Sequence, residues 1–136
     1  MQISWIKFTP GEALIQVNTS NERRFTYQVP DFGIKLLKIL PDIKHHKCDN
    51  PKNLTFVEEL EDTSIAHVFE HIVLEIISQK SKTEKKLKGL TSWNWHKEPR
   101  GIYNIEINVS QKELVLGSID EALQILDFCL NPSPVN

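Results

Sequence analysis

The chain has 136 residues, of which 40% are hydrophobic and 25% are charged, and its formal net charge is −2. This composition is typical of one soluble globular domain, and no stretch approaches the ~18 consecutive apolar residues of a transmembrane helix. The scattered basic residues argue against a nucleic-acid partner, and MQISWIKFTP lacks the pattern of a secretory signal. We therefore expect a single cytoplasmic domain over residues 1–136, with no membrane contact and a frayed tail at 131–136.

The first 30 residues predict a meander of three strands. ISWIKFT, ALIQVN and RRFTYQV are rich in strand formers, and PGE and TSNE supply the turns between them. DFGIKLLKIL then has apolar residues at helical spacing, so we expect a helix that Asp31 caps and Pro41 ends. PDIKHHKCDNPKN predicts a loop, and LTFVEELEDTS is compatible with a short helix or a short strand.

The segment IAHVFEHIVLEIIS, residues 65–78, lies within a predicted helix that begins at Thr63 or Ser64 and ends near Ser81. On a helical wheel its apolar side chains form one arc, which contains Ile65, Ala66, Val68, Phe69, Ile72, Val73, Ile76 and Ile77. The opposite stripe carries His67, Glu70, His71 and Glu75. This stripe is therefore predicted to lie outside the core.

The last third of the chain predicts two paired strands and a helix. GLTSWNWH and GIYNIEINVS indicate an antiparallel pair. In the second strand one face is apolar and the other polar, with Tyr103, Ile105, Ile107 and Val109 on the first and Asn104, Glu106 and Asn108 on the second. GSIDEALQILDFCL predicts a helix with a capping box at Ser118 and Glu121. The order of elements predicts an α+β fold, a single domain whose helices pack on one face of an antiparallel sheet.

The residues His67, Glu70 and His71 spell H-x-x-E-H, the inverted form of the zinc-protease helix signature. Two imidazoles one helical turn apart can bind one cation, and a neighbouring carboxylate can take a proton from a zinc-activated water. The alternative is a solvated stripe, whose i,i+4 pairs stabilise the helix by only about 0.3 kcal/mol each. The motif alone does not decide between these two interpretations.

A catalytic zinc needs a third protein ligand. Glu106, on the polar face of its strand, is the preferred candidate. Glu75 lies too far along the helix from His67 to share the ion and is better suited to support the ligands. The lesser candidates are His46, Cys48 and His96. Trp93 and Trp95 predict an aromatic pair of the kind that is more common in a core than in a ligand platform.

Three segments, LPDIKHHKC, AHVFEHIVLEI and RGIYNIEINV, resemble in their order the N-terminal domain of cyanophycin synthetase, and most of the chain is comparable. That enzyme makes a polymer with a poly-aspartate backbone and arginine side groups, using ATP-dependent ligase domains of which this chain has no motif. The resemblance implies a stand-alone counterpart of a domain that holds the polymer and, in some members, trims it at a metal-dependent site. It assigns His67 and His71 as zinc ligands and Glu70 as the base.

The chain departs from the family at two places. TSWNWHKE replaces an arginine-containing stretch, so Trp95, His96 and Arg100 are the candidate substrate contacts here. The family's strand glutamate falls at Asn108, and Glu106 would replace it with a change of register.

Three functions are compatible with these features. We expect a zinc-dependent hydrolase of amide or isopeptide bonds in a cyanophycin-like polymer or peptide. The alternatives are a non-catalytic module that binds the polymer and a subunit that partners a cyanophycin synthetase or another ligase.

Overall fold

The protein is built on one antiparallel sheet of four strands, as a computed structural model shows for residues 1–20, 24–48, 50–81 and 86–131. The strands are β1 (Gln2–Thr9), β2 (Glu12–Asn18), β3 (Gly89–Ser92) and β4 (Ile102–Ile107), and their order in the sheet is β1-β2-β4-β3. β1 and β2 form a hairpin whose turn uses Gly11 at φ +82°, a conformation that favours glycine. The predicted pairing of the last two strands is confirmed.

The two faces of the sheet differ in burial. Ile15 of β2 lies opposite Ile105 of β4, and both side chains are buried, so this inner face forms the floor of the core. On the outer face Glu106 lies opposite Leu14 and Leu90, and Leu90 is 57% exposed. The predicted alternation along β4 is therefore confirmed, and it points Glu106 away from the core.

The helices are α1 (Phe32–Ile39), α2 (Phe56–Glu59), α3 (Ile65–Ser81) and α4 (Lys112–Leu130). α3 packs against α4, β3 and β4, and the apolar residues of α3, α4 and β4 join those of β2 and α1 in one core. The α+β class and the main helix are thus confirmed. Among the described residues no helix is both long enough and apolar enough to cross a bilayer.

The predicted third strand is wrong for the residues that the structure describes. Thr26–Gln28 is a 3₁₀ helix, and Phe25 forms only an isolated bridge with Ser64. The backbone bonds of this segment go to the start of α3, since Ile65 donates to the carbonyl of Arg24 at 2.8 Å. The segment therefore anchors α3 instead of extending the sheet.

Two helix starts also differ from prediction. Asp31 precedes α1, but its side chain makes no capping hydrogen bond. α4 begins at Lys112, so Ser118 lies buried inside the helix and does not cap it. The segment after α1, predicted as a loop, contains a 3₁₀ helix at Pro41–His45. The tail at 131–136, predicted to be frayed, lies outside the described residues except for residue 131.

Candidate metal centre

Three ligand atoms converge beside α3: Cys48 Sγ, His67 Nε2 and His71 Nε2. The two nitrogens are 3.1 Å apart, and Sγ lies 3.2 Å from His71 Nε2 and 3.7 Å from His67 Nε2. Zinc bonds of about 2.0 Å to nitrogen and about 2.3 Å to sulfur place tetrahedral ligand atoms about 3.3 to 3.6 Å apart. One ion therefore fits between the three atoms, with a fourth position left for water or substrate.

The local fold explains why a cysteine joins two histidines from another element. His67 and His71 lie one turn apart on α3, which places both rings on one side of the helix. Cys48 follows the 3₁₀ helix Pro41–His45, and the Asn50 side chain donates to the carbonyls of Cys48 and Leu54 at 3.3 and 2.8 Å. This closed loop fixes the cysteine over the helix.

The stripe of α3 that carries the histidines is buried, contrary to our expectation of an exposed face. Glu70, His71 and Glu75 are 3%, 4% and 6% exposed. The segment that contains His46 lies over the stripe, and the ring of Phe56 from α2 stacks on His71 with centroids 4.0 Å apart. The burial thus comes from segments distant in sequence, which a helical wheel of α3 does not include.

A relay of hydrogen bonds orients His71. His46 Nε2 lies 2.9 Å from Glu75 Oε1, and His46 Nδ1 lies 2.9 Å from His71 Nδ1. When the Glu75 carboxylate accepts from His46 Nε2, the other nitrogen of neutral His46 is an acceptor for the Nδ1–H of His71. His71 Nε2 is then left with its lone pair towards the cluster, which is the tautomer that a metal requires. The supporting role predicted for Glu75 agrees with this geometry, and His46, a lesser candidate for the third ligand, contacts His71 from behind instead.

His67 has its own partners on the side away from the cluster. Its Nδ1 lies 2.9 Å from Thr63 Oγ1 and 3.7 Å from Glu59 Oε2. Glu59 Oε2 is buried and has no hydrogen-bond partner among the described residues. A proton on Nδ1 can be donated to Thr63 Oγ1 and is also attracted by the Glu59 carboxylate, so His67 Nε2 also directs a lone pair at the cluster.

Burial keeps both histidines neutral. Desolvation, together with the neighbouring rings of His67 and His46, lowers the pKa of His71 to about 2. Desolvation also lowers the pKa of His67, although the Glu59 carboxylate opposes this shift. Because a metal binds only the neutral imidazole, these ligands need no deprotonation near pH 7.

The carboxyl group of Glu70 lies at the edge of the cluster, with Oε2 3.6 Å from His71 Nε2. Its Oε1 accepts from Thr91 Oγ1 of β3 at 2.7 Å. A Cβ atom on Gly89 would lie 2.7 Å from Oε2, so only glycine leaves room for this side chain. Burial is the main cause that raises the pKa of Glu70 to about 7, against the opposing bond from Thr91. Such a group can accept and release a proton at neutral pH.

Glu106, our preferred third ligand, is not part of the cluster. It lies on the exposed outer face of the sheet, whereas α3 packs on the inner face. Cys48, a lesser candidate from the sequence, occupies the third position instead. Glu106 cannot reach the cluster because side chains alternate between the two faces along β4, and Glu106 lies on the face that points away from α3.

The predicted substrate contacts lie near an aromatic group on the wall of the same cavity, which has a volume of about 1200 Å³. Trp93, Trp95 and Tyr103 line this cavity, and their ring centroids are 5.7 to 5.9 Å apart. Trp93 is 56% exposed, so the expected core pair is open to solvent on one side. Arg100 covers the Trp95 ring at 5.5 Å, and His96 is exposed outside the cavity lining.

Sequence reasoning missed Thr91, Gly89, Glu59 and Thr63 as parts of this centre. Thr63 precedes His67 by four residues, so helical spacing could have suggested that contact. Thr91 and Gly89 come from a strand, and only the register between β3 and β4 places them beneath Glu70.

A protein-family model described as the cyanophycin synthase-like N-terminal domain matches residues 14–131. The matched range contains the three cluster residues, Glu70 and the relay behind His71. No curated protein matches the chain.

Proposed function

The chain belongs to the family of cyanophycin synthase-like N-terminal domains, and we propose that it is a zinc-dependent hydrolase of amide or isopeptide bonds in a cyanophycin-like polymer. The observation that carries this proposal is the convergence of Cys48, His67 and His71 beside the buried carboxyl group of Glu70. A thiolate and two imidazoles suit zinc better than they suit magnesium or calcium, which prefer oxygen ligands.

The residues around the cluster have distinct roles in this reaction. A bound zinc ion supplies a Lewis acid and lowers the pKa of water towards ~7. Thr91 holds Oε1 of Glu70, which leaves Oε2 on the side of the cluster to accept a proton from the attacking water. Because burial raises its pKa, the Glu70 carboxyl group is suited to hold this proton and then to donate it to the leaving amine.

The cavity walls support a substrate that carries both kinds of charge. Glu59 and Asp62 line one part of the cavity, and Lys86 and Lys88 line another. The open half of the Trp93 ring provides a face on which a guanidinium group can stack. An aspartate backbone with arginine side groups offers matching anions and cations. In this proposal Trp95 belongs to the aromatic wall of the binding site.

The test is metal analysis combined with a matched pair of glutamate variants. We expect about one zinc per chain, and we expect the purified protein to release small peptides from isolated cyanophycin. Glu70→Gln should abolish release and keep the zinc, because Gln cannot accept the proton. Glu106→Gln, the same change on the exposed outer face, should keep both. A protein without zinc, or a Glu70→Gln variant with unchanged release, contradicts the proposal.

A second variant separates the position of Glu70 from its chemistry. Gly89→Ala introduces a Cβ atom within 3 Å of the Glu70 carboxyl group, so this side chain must shift. We expect reduced peptide release with unchanged zinc content, because Gly89 contacts no metal ligand. Unchanged release from this variant would show that the observed position of Glu70 is unimportant.

The second candidate function is a module without catalysis that binds the polymer or docks on a cyanophycin synthetase or another ligase. The aromatic wall of Trp93, Trp95 and Tyr103 favours it, since this wall can bind polymer without any metal. A His67→Ala, His71→Ala double variant that still binds cyanophycin, together with a wild type that releases no peptides, would select this function. Co-purification with a large ATP-dependent ligase would identify the partner.

A further inference from the structure

The strand β3 is the outermost strand of the sheet, next to β4, in the part of the chain that the structure describes. Its residues Gly89, Leu90 and Thr91 line the same cavity as the metal centre. Among the described residues, no backbone hydrogen bond joins the outer edge of β3 to another segment. A strand edge of this kind presents N–H and C=O groups that can pair with a further chain.

The register between β3 and β4 defines which backbone groups face outwards. Asn108 donates its N–H to the carbonyl of Lys88 at 3.1 Å, so these two residues form a hydrogen-bonded pair. Hydrogen-bonded and non-bonded pairs alternate along an antiparallel ladder, so Leu90 bonds to Glu106 in the same way. The N–H and C=O groups of the intervening residues, Gly89 and Thr91, therefore point to the free edge.

These two residues are also the ones that contact Glu70. The hydroxyl group of Thr91 donates to Oε1, and the missing side chain of Gly89 makes space for the carboxyl group. A chain paired with this edge would thus run past the proton acceptor and the three ligand atoms.

We propose that the outer edge of β3 binds the poly-aspartate backbone of the substrate as an added strand, through the backbone groups of Gly89 and Thr91. This inference rests on the proposed function for the identity of the substrate. The occupant follows from two observations: the edge lines the same cavity as the ligand cluster, and Lys86 and Lys88 line this cavity just before the edge, where they attract the free carboxylates of the arginine groups along the backbone. Pairing of this type recognises the backbone, so it tolerates a repetitive polymer.

Amide hydrogen exchange, measured by NMR on the zinc-loaded Glu70→Gln protein, tests the pairing without cleavage. The probe is a synthetic hexamer of aspartate whose side chains carry arginine. The amides of Gly89 and Thr91 should exchange rapidly in the free protein and at least about tenfold more slowly at saturating hexamer. Leu90 is the internal control, because its bond to β4 protects it in both states.

A set of hexamers with one N-methylated backbone amide each provides a second measurement. Pairing with an edge uses alternate residues of the added strand, so weakened binding should recur at every second position. Equal weakening at all positions, no binding of the hexamer, or saturation with unchanged exchange at Gly89 and Thr91 would each overturn the inference. Protection that develops with protein concentration alone would identify a second copy as the occupant and also overturn it.

The result is independent of the catalytic test. Peptide release by the wild type, together with unprotected Gly89 and Thr91 amides in the Glu70→Gln variant, would leave the hydrolase proposal intact and overturn the inference about the β3 edge. Protected amides in the Glu70→Gln variant, together with a wild-type protein that releases no peptides, would keep the edge as a binding surface and overturn the hydrolase proposal.

Discussion

The two longest helices, α3 and α4, pack against each other and both bury polar side chains, but they satisfy them differently. In α3, Glu70, His71 and Glu75 each have a hydrogen-bond partner from another segment or turn of the molecule. In α4, the hydroxyl group of Ser118 is fully buried and has no partner among the described residues.

This difference shows which kind of buried polar group indicates a functional site. Burying a carboxyl group or an imidazole costs several kcal/mol unless partners compensate, whereas a serine hydroxyl costs only about 1 to 3 kcal/mol. The partners of the α3 groups come from β3, from the start of α3 and from the segment around His46. Partners that come from three separate regions to one stripe are expected at a functional site, whereas a lone buried serine is expected from packing. The predictions below test this distinction.

The largest expected effect is on zinc affinity. His71→Ala removes one of three protein ligands, so we expect the affinity to fall by at least about 10³-fold. Ser118→Ala, at an equally buried position in α4, should leave the affinity unchanged. Competition with a chelator of known affinity measures both. Equal affinities of the wild type and the His71→Ala variant would mean that the stripe of α3 holds no metal.

The sequence predicted α3 and its grouping of His67, Glu70 and His71 on one side, because both depend only on helical spacing. It did not predict the burial of this stripe, since Phe56 and His46 reach it from other parts of the chain. The missed start of α4 has a similar cause. Gly117 and Ser118 looked like a helix boundary, but packing of α4 on α3 keeps these residues helical.

The third ligand shows where the sequence stops being informative. The alternation of β4 was predicted correctly, and it already placed Glu106 opposite to the apolar side chains. The sequence did not show that α3 packs on that apolar face, so Glu106 remained a candidate. Cys48 is brought to the histidines by a loop closed through Asn50, a contact that no local pattern encodes.

The next effect tests the relay behind His71. Glu75→Leu removes the acceptor of the His46 Nε2–H, so neither the tautomer nor the ring orientation of His71 is fixed any longer. We expect zinc affinity to fall by about 10- to 100-fold, the usual consequence of losing such a support. The matched control is Glu121→Leu in α4, which breaks a surface ion pair with Lys80 and should not change the affinity. Similar losses in both variants would argue for a general effect on the helices.

The pH dependence of the metal-free protein gives a smaller effect, to which His71 and Glu70 contribute with opposite signs, and the lowered pKa of His67 acts in the same direction as that of His71. The pKa of His71 is lowered to about 2 from its usual 6.5. Below pH 6.5 the unfolded chain therefore binds the extra proton, and the free energy of unfolding falls as the pH falls. The pKa of Glu70 is raised to about 7 from its usual 4.5. Between pH 7 and 4.5 the folded chain therefore binds the extra proton and stability rises as the pH falls.

The contributions of His71 and Glu70 largely cancel between pH 6.5 and 4.5, where each amounts to about 2 kcal/mol. Glu70→Gln removes only the second, so this variant should lose about 2 kcal/mol more than the wild type over that interval. Urea unfolding in the presence of a chelator measures the difference. Glu106→Gln should follow the wild-type curve, because its carboxyl group is exposed. Parallel curves for wild type and Glu70→Gln would mean that Glu70 does not retain its proton on folding.

The smallest effect belongs to α4. Ser118→Ala removes a buried hydroxyl group that lacks a partner and introduces the best helix former, so the free energy of unfolding should stay constant or rise by up to about 1 kcal/mol. The reverse change at the neighbouring buried position, Ala122→Ser, should lower it by about 1 to 3 kcal/mol, because it buries a new hydroxyl group. Thermal unfolding of both variants measures these changes. A clear loss of stability in Ser118→Ala would show that this hydroxyl group stabilises the fold. Hydrogen-bond partners would then no longer distinguish the buried polar groups of a functional site in α3 from those that serve packing in α4.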